Sequence, residues 1–110
     1  MQVAAKRQAI RDYKERKPRM GIYAVRCLET GEVWVGQSRN LDAQQNRLWF
    51  SLRLGSERNT ALQQAWDNHG SQAMSFEVMA KLGEEEVAFP DSRLKELLAE
   101  WSERLAAMPI

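Results

Sequence analysis

The feature that most constrains the fold is the stretch from residue 21 to residue 36, which reads GIYAVRCLETGEVWVG. Two aromatic-glycine triplets, GIY and WVG, are separated in it by ten residues. Apolar, aromatic and β-branched residues lie on both sides of ETGE, a tight-turn signal with a glycine available for positive φ. The stretch therefore predicts a β-hairpin. With Thr30 and Gly31 as the loop, residue 27 lies opposite residue 34, and residue 25 lies opposite residue 36.

The first strand of this hairpin is apolar on both of its alternating sets of residues. One set contains Ile22 and Ala24, and the other contains Tyr23, Val25 and Cys27. Such a strand is covered on both faces, as a central strand of a sheet is. In the predicted register the tryptophan and the glycine of WVG share the face of Tyr23, unless a bulge shifts the glycine.

Positive charge is concentrated at the beginning of the chain. The first twenty residues hold seven basic and two acidic groups (+5), whereas the remaining ninety hold nine basic and thirteen acidic groups (−4), which gives +1 overall. Helix formers followed by the KP pair predict a basic N-terminal helix over residues 1–18, with a single domain over 19–110. Such a basic segment, with Arg16, Lys17 and Arg19 at its end, can bind a polyanion through its phosphates.

Three further helices and one further strand follow from the pattern. Asn40 caps a helix that reaches residue 54, and Asn59 caps another that ends at Asn68. MSFEVMAKL, residues 74–82, is a third strand. A last helix begins near Pro90, with leucines and a tryptophan at the spacing of a core-facing stripe. The predicted order is α-β-β-α-α-β-α, an α/β (α+β) domain with a three-stranded, mainly antiparallel sheet flanked by helices.

Composition excludes several classes of protein. Hydrophobic residues make up 44% of the 110 residues, and no apolar run approaches the length that spans a bilayer. The polar, basic N-terminus lacks the order of a signal peptide, so we expect a cytoplasmic protein. Cys27 is the single cysteine, which excludes an internal disulfide and predicts a buried small hydrophobe. With His69 as the only histidine, the chain cannot supply the four ligands of a zinc site.

Residue patterns alone leave the role of the polar and aromatic candidates open. A hydroxyl beside a glycine, as at Tyr23 and Gly36, leaves room for a substrate backbone, but the pattern by itself favours core aromatics packed on a glycine. Glu96 lies off the apolar stripe of the last helix together with Glu100 and Glu103. That arrangement by itself is typical of a solvated acidic face.

The ordered motifs GIY, WVG, SRNL, GSERN and FEV, placed on this order of elements, resemble those of the GIY-YIG nuclease superfamily. The similarity covers about residues 19–104. It implies a GIY-YIG endonuclease-like fold and metal-dependent hydrolysis of a DNA phosphodiester by water, with no organic cofactor. This chemistry requires an activated nucleophile, a cation near the phosphorus and a metal ion at the leaving oxygen.

The resemblance implies roles for individual residues. Tyr23 matches the GIY tyrosine, which helps take the proton of the attacking water and needs a nearby cation or metal ion to lower its pKa. Trp34 stands where YIG has its tyrosine, and it has no hydroxyl. Gln44 replaces the family's arginine, and Arg47, one turn along the same helix, is the candidate that reaches the phosphate instead. Glu57 stands where many members have a histidine.

Glu96 in RLKELLAEW matches the metal-binding glutamate of the family. One carboxylate with waters and the substrate phosphate is an adequate site for Mg²⁺ or Mn²⁺, because magnesium keeps most of its hydration shell. Six residues are the implied nucleic-acid contacts: Arg16, Lys17, Arg19, Arg39, Arg53 and Asn59.

Two functions of different class remain open at this point. In the first, the protein is a small Mg²⁺-dependent DNA endonuclease in which Tyr23 assists the nucleophile and Glu96 holds the metal ion. In the second, it is a nuclease fold that has lost its chemistry and binds nucleic acid or a protein partner, and Trp34, Gln44 and Glu57 favour this interpretation. An unrelated structural domain would require the order of the motifs to be accidental.

Overall fold

The computed structural model describes residues 19–83 and 90–110. Its elements are β1 (Gly21–Cys27), β2 (Val33–Ser38), α1 (Leu41–Leu54), α2 (Thr60–His69), a 3-10 turn (Ser71–Ala73), β3 (Met74–Lys81), α3 (Pro90–Arg104) and β4 (Met108–Pro109). The N-terminal helix predicted over residues 1–18 lies outside the described residues.

β1 is the central strand of the domain, as predicted. The strand order is β3-β1-β2-β4, and β1 pairs antiparallel with both β2 and β3. Helices α1 and α2 cover the face of Tyr23, Val25 and Cys27, whereas α3 covers the face of Ile22 and Ala24. The predicted class, a mainly antiparallel sheet flanked by helices, is confirmed.

The hairpin register differs by two residues from the predicted one. Tyr23 pairs with Gly36, whereas a two-residue loop would have placed Val25 opposite Gly36. The connection contains four residues instead of two, because the Gly31 N–H donates to the Cys27 carbonyl at 2.8 Å and closes a wider turn. A shift by an even number of residues leaves every side chain on its predicted face.

The sheet has four strands, whereas the sequence predicted three. β4 runs parallel to β2, with Met108 opposite Trp34 and Pro109 opposite Val35. The Ile110 N–H donates to the Val35 carbonyl at 2.8 Å and extends this contact. Two residues are too few to show strand alternation, and a proline is tolerated at an edge. The pattern therefore gave no signal for β4.

The capping residues mark the beginnings and ends of α1 and α2. Gly55 ends α1 in the left-handed conformation, at φ 74°. The Asn59 side chain caps α2 by accepting a hydrogen bond from the Leu62 N–H at 3.1 Å. Asn40 precedes α1 as predicted, but within the described chain its side chain makes no capping hydrogen bond. Its N–H instead donates to the Ser38 hydroxyl at 3.0 Å.

The predicted core residues lie inside the domain. Cys27 and Trp34 are fully buried. Trp66 is buried against Trp49, with ring centroids 5.5 Å apart, and Trp101 packs on the α3 side of the sheet. Among the helices of the described residues, none has the length and apolar character required to cross a membrane.

Candidate active site

Tyr23 and Gly36 form a packed pair across the hairpin. A Cβ atom on Gly36 would lie 2.5 Å from both the Cζ atom and the hydroxyl oxygen of Tyr23. On its other side the Tyr23 ring stacks on Phe76, at 5.1 Å between centroids and 16° between planes. The residue pattern left two interpretations of this glycine open and favoured a core aromatic packed on it over room for a substrate backbone. The structure agrees with the favoured interpretation, because the Tyr23 ring itself fills the space.

A chain of hydrogen bonds ends on the Tyr23 hydroxyl. The Gln44 side-chain amide donates to the hydroxyl oxygen at 3.4 Å, and its Oε1 accepts from the Ser38 hydroxyl at 2.9 Å. These bonds join β1, the end of β2 and the first turn of α1. Gln44, a departure from the family pattern, is thus a direct contact of Tyr23. The sequence did not predict Ser38 as a site residue. The one feature that could have indicated it is its position, as a buried polar residue at the end of an apolar strand.

Burial raises the pKa of Tyr23 to about 12, and the negative charge of Glu57 acts in the same direction. The residue is only 3% exposed. Its hydroxyl is therefore protonated at neutral pH, and it can donate a hydrogen bond but cannot readily accept a proton. A tyrosine that accepts a proton at neutral pH would need a lowered pKa instead.

Glu57 lies in the loop between α1 and α2 and is held by backbone contacts. The Asn59 N–H donates to Glu57 Oε1 at 3.3 Å, and the Glu57 N–H donates to Gln63 Oε1 at 3.2 Å. The Asn59 side chain also donates to the Pro109 carbonyl at 3.3 Å. The loop that carries the carboxylate is therefore tied to β4.

Trp34 does not reach the surface. It has no exposed area and belongs to the apolar cluster that also contains Tyr23 and Leu52. Its indole N–H has no hydrogen-bond partner among the described residues. Trp34 is therefore a core residue on the same side of the sheet as Tyr23, and it presents no polar atom to a ligand.

Arg47 is exposed on α1, three residues after Gln44. This spacing places both side chains on one side of the helix. No carboxylate in residues 19–83 or 90–110 pairs with Arg47. The guanidinium is thus available to an anionic ligand on the same side of α1 as the residue that contacts Tyr23.

Glu96 lies on the other side of the sheet. Helix α3 packs through Leu94 and Leu97, and Glu96 follows Leu94 by two residues, which is about 200° around the helix. The Glu96 side chain is 68% exposed and pairs with Arg93 at 3.2 Å. The structure therefore does not bring Glu96 to Tyr23.

A metal ion has no ready-made site beside Tyr23. In the part of the chain that the structure describes, no group of three or more His, Cys, Asp and Glu side chains could hold an ion. The carboxylate whose charge reaches Tyr23 belongs to Glu57. The predicted ligand Glu96 is exposed on α3, which covers the other face of the sheet, so Glu57 and not Glu96 is the carboxylate beside this tyrosine.

The predicted nucleic-acid contacts differ in their surroundings. Arg39 pairs with Asp91 at the beginning of α3. Arg19 and Arg53 are exposed, and neither has a carboxylate partner among the described residues. Asn59 is engaged as a helix cap. The two basic residues at positions 16 and 17 lie outside the described residues.

The raised pKa of Tyr23 predicts a loss of stability in alkali. A group with a higher pKa in the folded state stabilises the fold fully below its unfolded pKa, and this stabilisation is lost as the pH rises through the folded value. With a pKa of 10.0 when unfolded and about 12 when folded, Tyr23 should account for a loss of about 3 kcal/mol. Urea unfolding of wild type and Tyr23→Phe between pH 9 and pH 12 measures it. Equal losses in the two proteins would contradict the expectation.

Solved structures share this fold. The catalytic domain of the homing endonuclease I-TevI has a TM-score of 0.71 and 18% identity, over 83% of this chain and 97% of that one. A mutant of the catalytic domain of intron endonuclease I-TevI has a TM-score of 0.69 and 18% identity, over 80% and 84% of the two chains. Neither a protein-family model nor a curated protein matches the sequence. The resemblance drawn from GIY and WVG is thus confirmed for the fold.

Proposed function

We propose that this chain, which has the fold of a GIY-YIG nuclease catalytic domain, is an endonuclease that hydrolyses phosphodiester bonds in DNA. The observation that carries the proposal is the match to a homing-endonuclease catalytic domain over 83% of the chain. DNA is the proposed partner and the cytoplasm is the proposed compartment. Hydrolysis by water requires no organic cofactor.

Hydrolysis needs a group that accepts the proton of the attacking water and a cation that stabilises charge on the phosphate. Tyr23 is protonated at neutral pH because its pKa is about 12, so its hydroxyl donates to a phosphate oxygen. Glu57 accepts the proton as the water oxygen bonds to phosphorus. Arg47 pairs with the phosphate, the bond to the leaving oxygen breaks, and that oxygen takes a proton from solvent.

Substrate access to Tyr23 depends on Gln44. Tyr23 is 3% exposed, and its hydroxyl oxygen already accepts a hydrogen bond from the Gln44 amide. A hydroxyl can accept one hydrogen bond and donate another, so the burial of Tyr23 and not its bond from Gln44 limits access. The Gln44 side chain that lies on the hydroxyl must move aside before a phosphate oxygen can reach it, and this movement also disrupts the bond from Ser38 to Gln44, at about 1 kcal/mol for each neutral hydrogen bond.

Mg²⁺ or Mn²⁺ remains part of the proposal, through the resemblance of Glu96 to the family's ligand. Because Glu96 lies on α3, which covers the other face of the sheet from Tyr23, and pairs with Arg93, no step above is assigned to a metal ion. Cleavage measured in Mg²⁺, in Mn²⁺ and in EDTA tests the dependence on a divalent ion. Glu96→Ala tests the predicted ligand.

A second candidate is a nucleic-acid-binding module without cleavage. The observation that favours it is the burial of both hairpin aromatics: Trp34 has no exposed area and no hydroxyl, and Tyr23 is 3% exposed. A domain with these two residues in its core keeps the fold of a nuclease while it presents few reactive groups to a substrate.

We expect purified protein to cleave supercoiled plasmid or branched DNA when Mg²⁺ or Mn²⁺ is present. Tyr23→Phe should slow cleavage by about 100-fold or more, because one hydrogen-bond donor directed at the charge that develops on the phosphate contributes about 10²–10³ in rate. Arg104→Gln is the matched control, since Arg104 pairs with Glu100 on the far side of the sheet at 3.3 Å. Its rate should equal that of wild type.

Two outcomes separate the candidates. Cleavage that is lost in Tyr23→Phe and retained in Arg104→Gln establishes the endonuclease. Wild-type protein that binds DNA in a salt-sensitive manner and cleaves none of these substrates with either ion would move the assignment to the binding module.

A further inference from the structure

The outer face of α1 carries an exposed aromatic ring between two arginines. Phe50 is 57% exposed, with Arg47 three residues before it and Arg53 three residues after it. Residues three or four apart are neighbours on a helix surface, with about 5–6 Å between Cβ atoms. Leu54, which is 65% exposed, extends the apolar surface by one turn. We call these four residues the Phe50 face.

Neither arginine of the Phe50 face pairs with a carboxylate in the described part of the chain. Three described arginines pair with a carboxylate: Arg39, Arg93 and Arg104. The acidic residue of the first turn of α1, Asp42, precedes Phe50 by eight residues, about 12 Å along the helix. The described protein therefore leaves the positive charge beside the ring available to an external anion.

We propose that the Phe50 face binds an unpaired nucleotide of DNA, with its base stacked on Phe50 and its flanking phosphates paired with Arg47 and Arg53. This inference rests on the proposed nuclease function and narrows the substrate to DNA that contains a single-stranded or unpaired segment. Aromatic side chains bind single strands by stacking on bases, whatever their sequence. The planar guanidinium matches the oxygens of a phosphate. A paired base inside a duplex has both faces covered, so the ring gains a stacking partner only where a base is free.

Other occupants fit this face less well. A second copy of the chain, packed through the same face, would bring the unpaired arginines of both copies together, and like charges across an interface are unfavourable. Phe50 and Leu54 are also few apolar residues for a stable protein interface, which buries about 1,000 Å² or more. A nucleic acid satisfies the ring and both cations at once.

Fluorescence anisotropy with a labelled oligonucleotide, single-stranded or duplex and of equal length, tests the inference in EDTA. Phe50→Ala should weaken single-strand binding by about 5- to 100-fold and change duplex binding less than about twofold. Phe50→Trp should retain single-strand affinity, whereas Phe50→Leu should lose it, because leucine supplies apolar area without an aromatic face.

The two arginines are expected to change the salt dependence of binding in the same assay. For single strands, Arg47→Gln and Arg53→Gln should each reduce the slope of log affinity against log salt by about 0.7. Phe50→Ala should leave this slope unchanged, because a stacked ring releases no counterion. Arg104→Gln, whose arginine is already paired with Glu100, is the matched control and should change neither the affinity nor the slope.

Several results would overturn the inference. These are equal single-strand affinity in Phe50→Ala and wild type, a loss of duplex affinity in Phe50→Ala as large as its loss of single-strand affinity, binding to anionic vesicles instead of DNA, or self-association that Phe50→Ala abolishes.

Cleavage is measured separately. If wild type cleaves plasmid and Phe50→Ala binds single strands as tightly as wild type, only this inference is rejected. If single-strand binding depends on Phe50 but no substrate is cleaved, only the endonuclease proposal is rejected. Phe50 is exposed, so its variants are expected to fold, which circular dichroism checks.

Discussion

Gly21→Ala is expected to lower the free energy of unfolding by about 3 kcal/mol or more, a large loss for a single added methyl group. A Cβ atom at position 21 would collide with the Ala80 carbonyl oxygen of β3, 2.9 Å from its carbonyl carbon and 3.0 Å from Leu41 Cδ1. The carbonyl belongs to the backbone of a paired strand. It cannot move aside without opening the β1–β3 ladder beside the site. Urea unfolding measures the loss.

Two other glycines provide the comparison. Gly36→Ala would meet the Tyr23 ring at 2.5 Å, and a ring can tilt, so we expect a smaller loss of about 1–3 kcal/mol. In a Tyr23→Ala background that loss should largely disappear. Gly31→Ala would meet nothing within 4 Å but has a φ of 79°, which costs about 1–2 kcal/mol. Equal losses of unfolding free energy for Gly21→Ala and Gly31→Ala would show that the β3 carbonyl moves aside at little energetic cost.

The two glycines of the hairpin motifs explain why the sequence was informative about the fold. Gly21 allows β3 to approach β1, and Gly36 allows the Tyr23 ring to lie across β2. Both requirements are local and steric, so they are visible as short motifs. The apolar alternation on both sides of Tyr23 similarly predicted a central strand, since that pattern depends only on coverage of both faces.

Features that depend on contacts distant in sequence could not be predicted. The bond between Gln44 and Tyr23 joins residues 21 positions apart, and no local pattern marks either one as the partner of the other. The spacing of Glu96 from Leu94 did indicate a side chain off the apolar stripe. Only the assignment of α3 to the face opposite Tyr23 shows that this carboxylate points away from the site. β4 is recognisable only from its pairing with β2.

Gln44→Arg is expected to increase the rate of plasmid cleavage by about 100-fold. The Gln44 amide lies 3.4 Å from the Tyr23 hydroxyl oxygen, so an arginine there would place a cation beside the tyrosine. A positive charge stabilises the phenolate and lowers the pKa of Tyr23 from its raised value of about 12. The same guanidinium would stabilise charge on the phosphate, and one such donor contributes about 10²–10³ in rate.

Absorbance titration and cleavage rates, measured on the same proteins, separate the two effects of this arginine. The chain has two tyrosines, so in a Tyr13→Phe background the titration reports Tyr23 alone. Gln44→Met is the control, because it is similar in length and carries neither charge nor amide, and it should leave cleavage no faster than in wild type. A lowered pKa without faster cleavage would mean that a cation beside Tyr23 is not what limits the reaction, which favours the binding module. An unchanged pKa would mean that residue 44 does not reach the hydroxyl in solution.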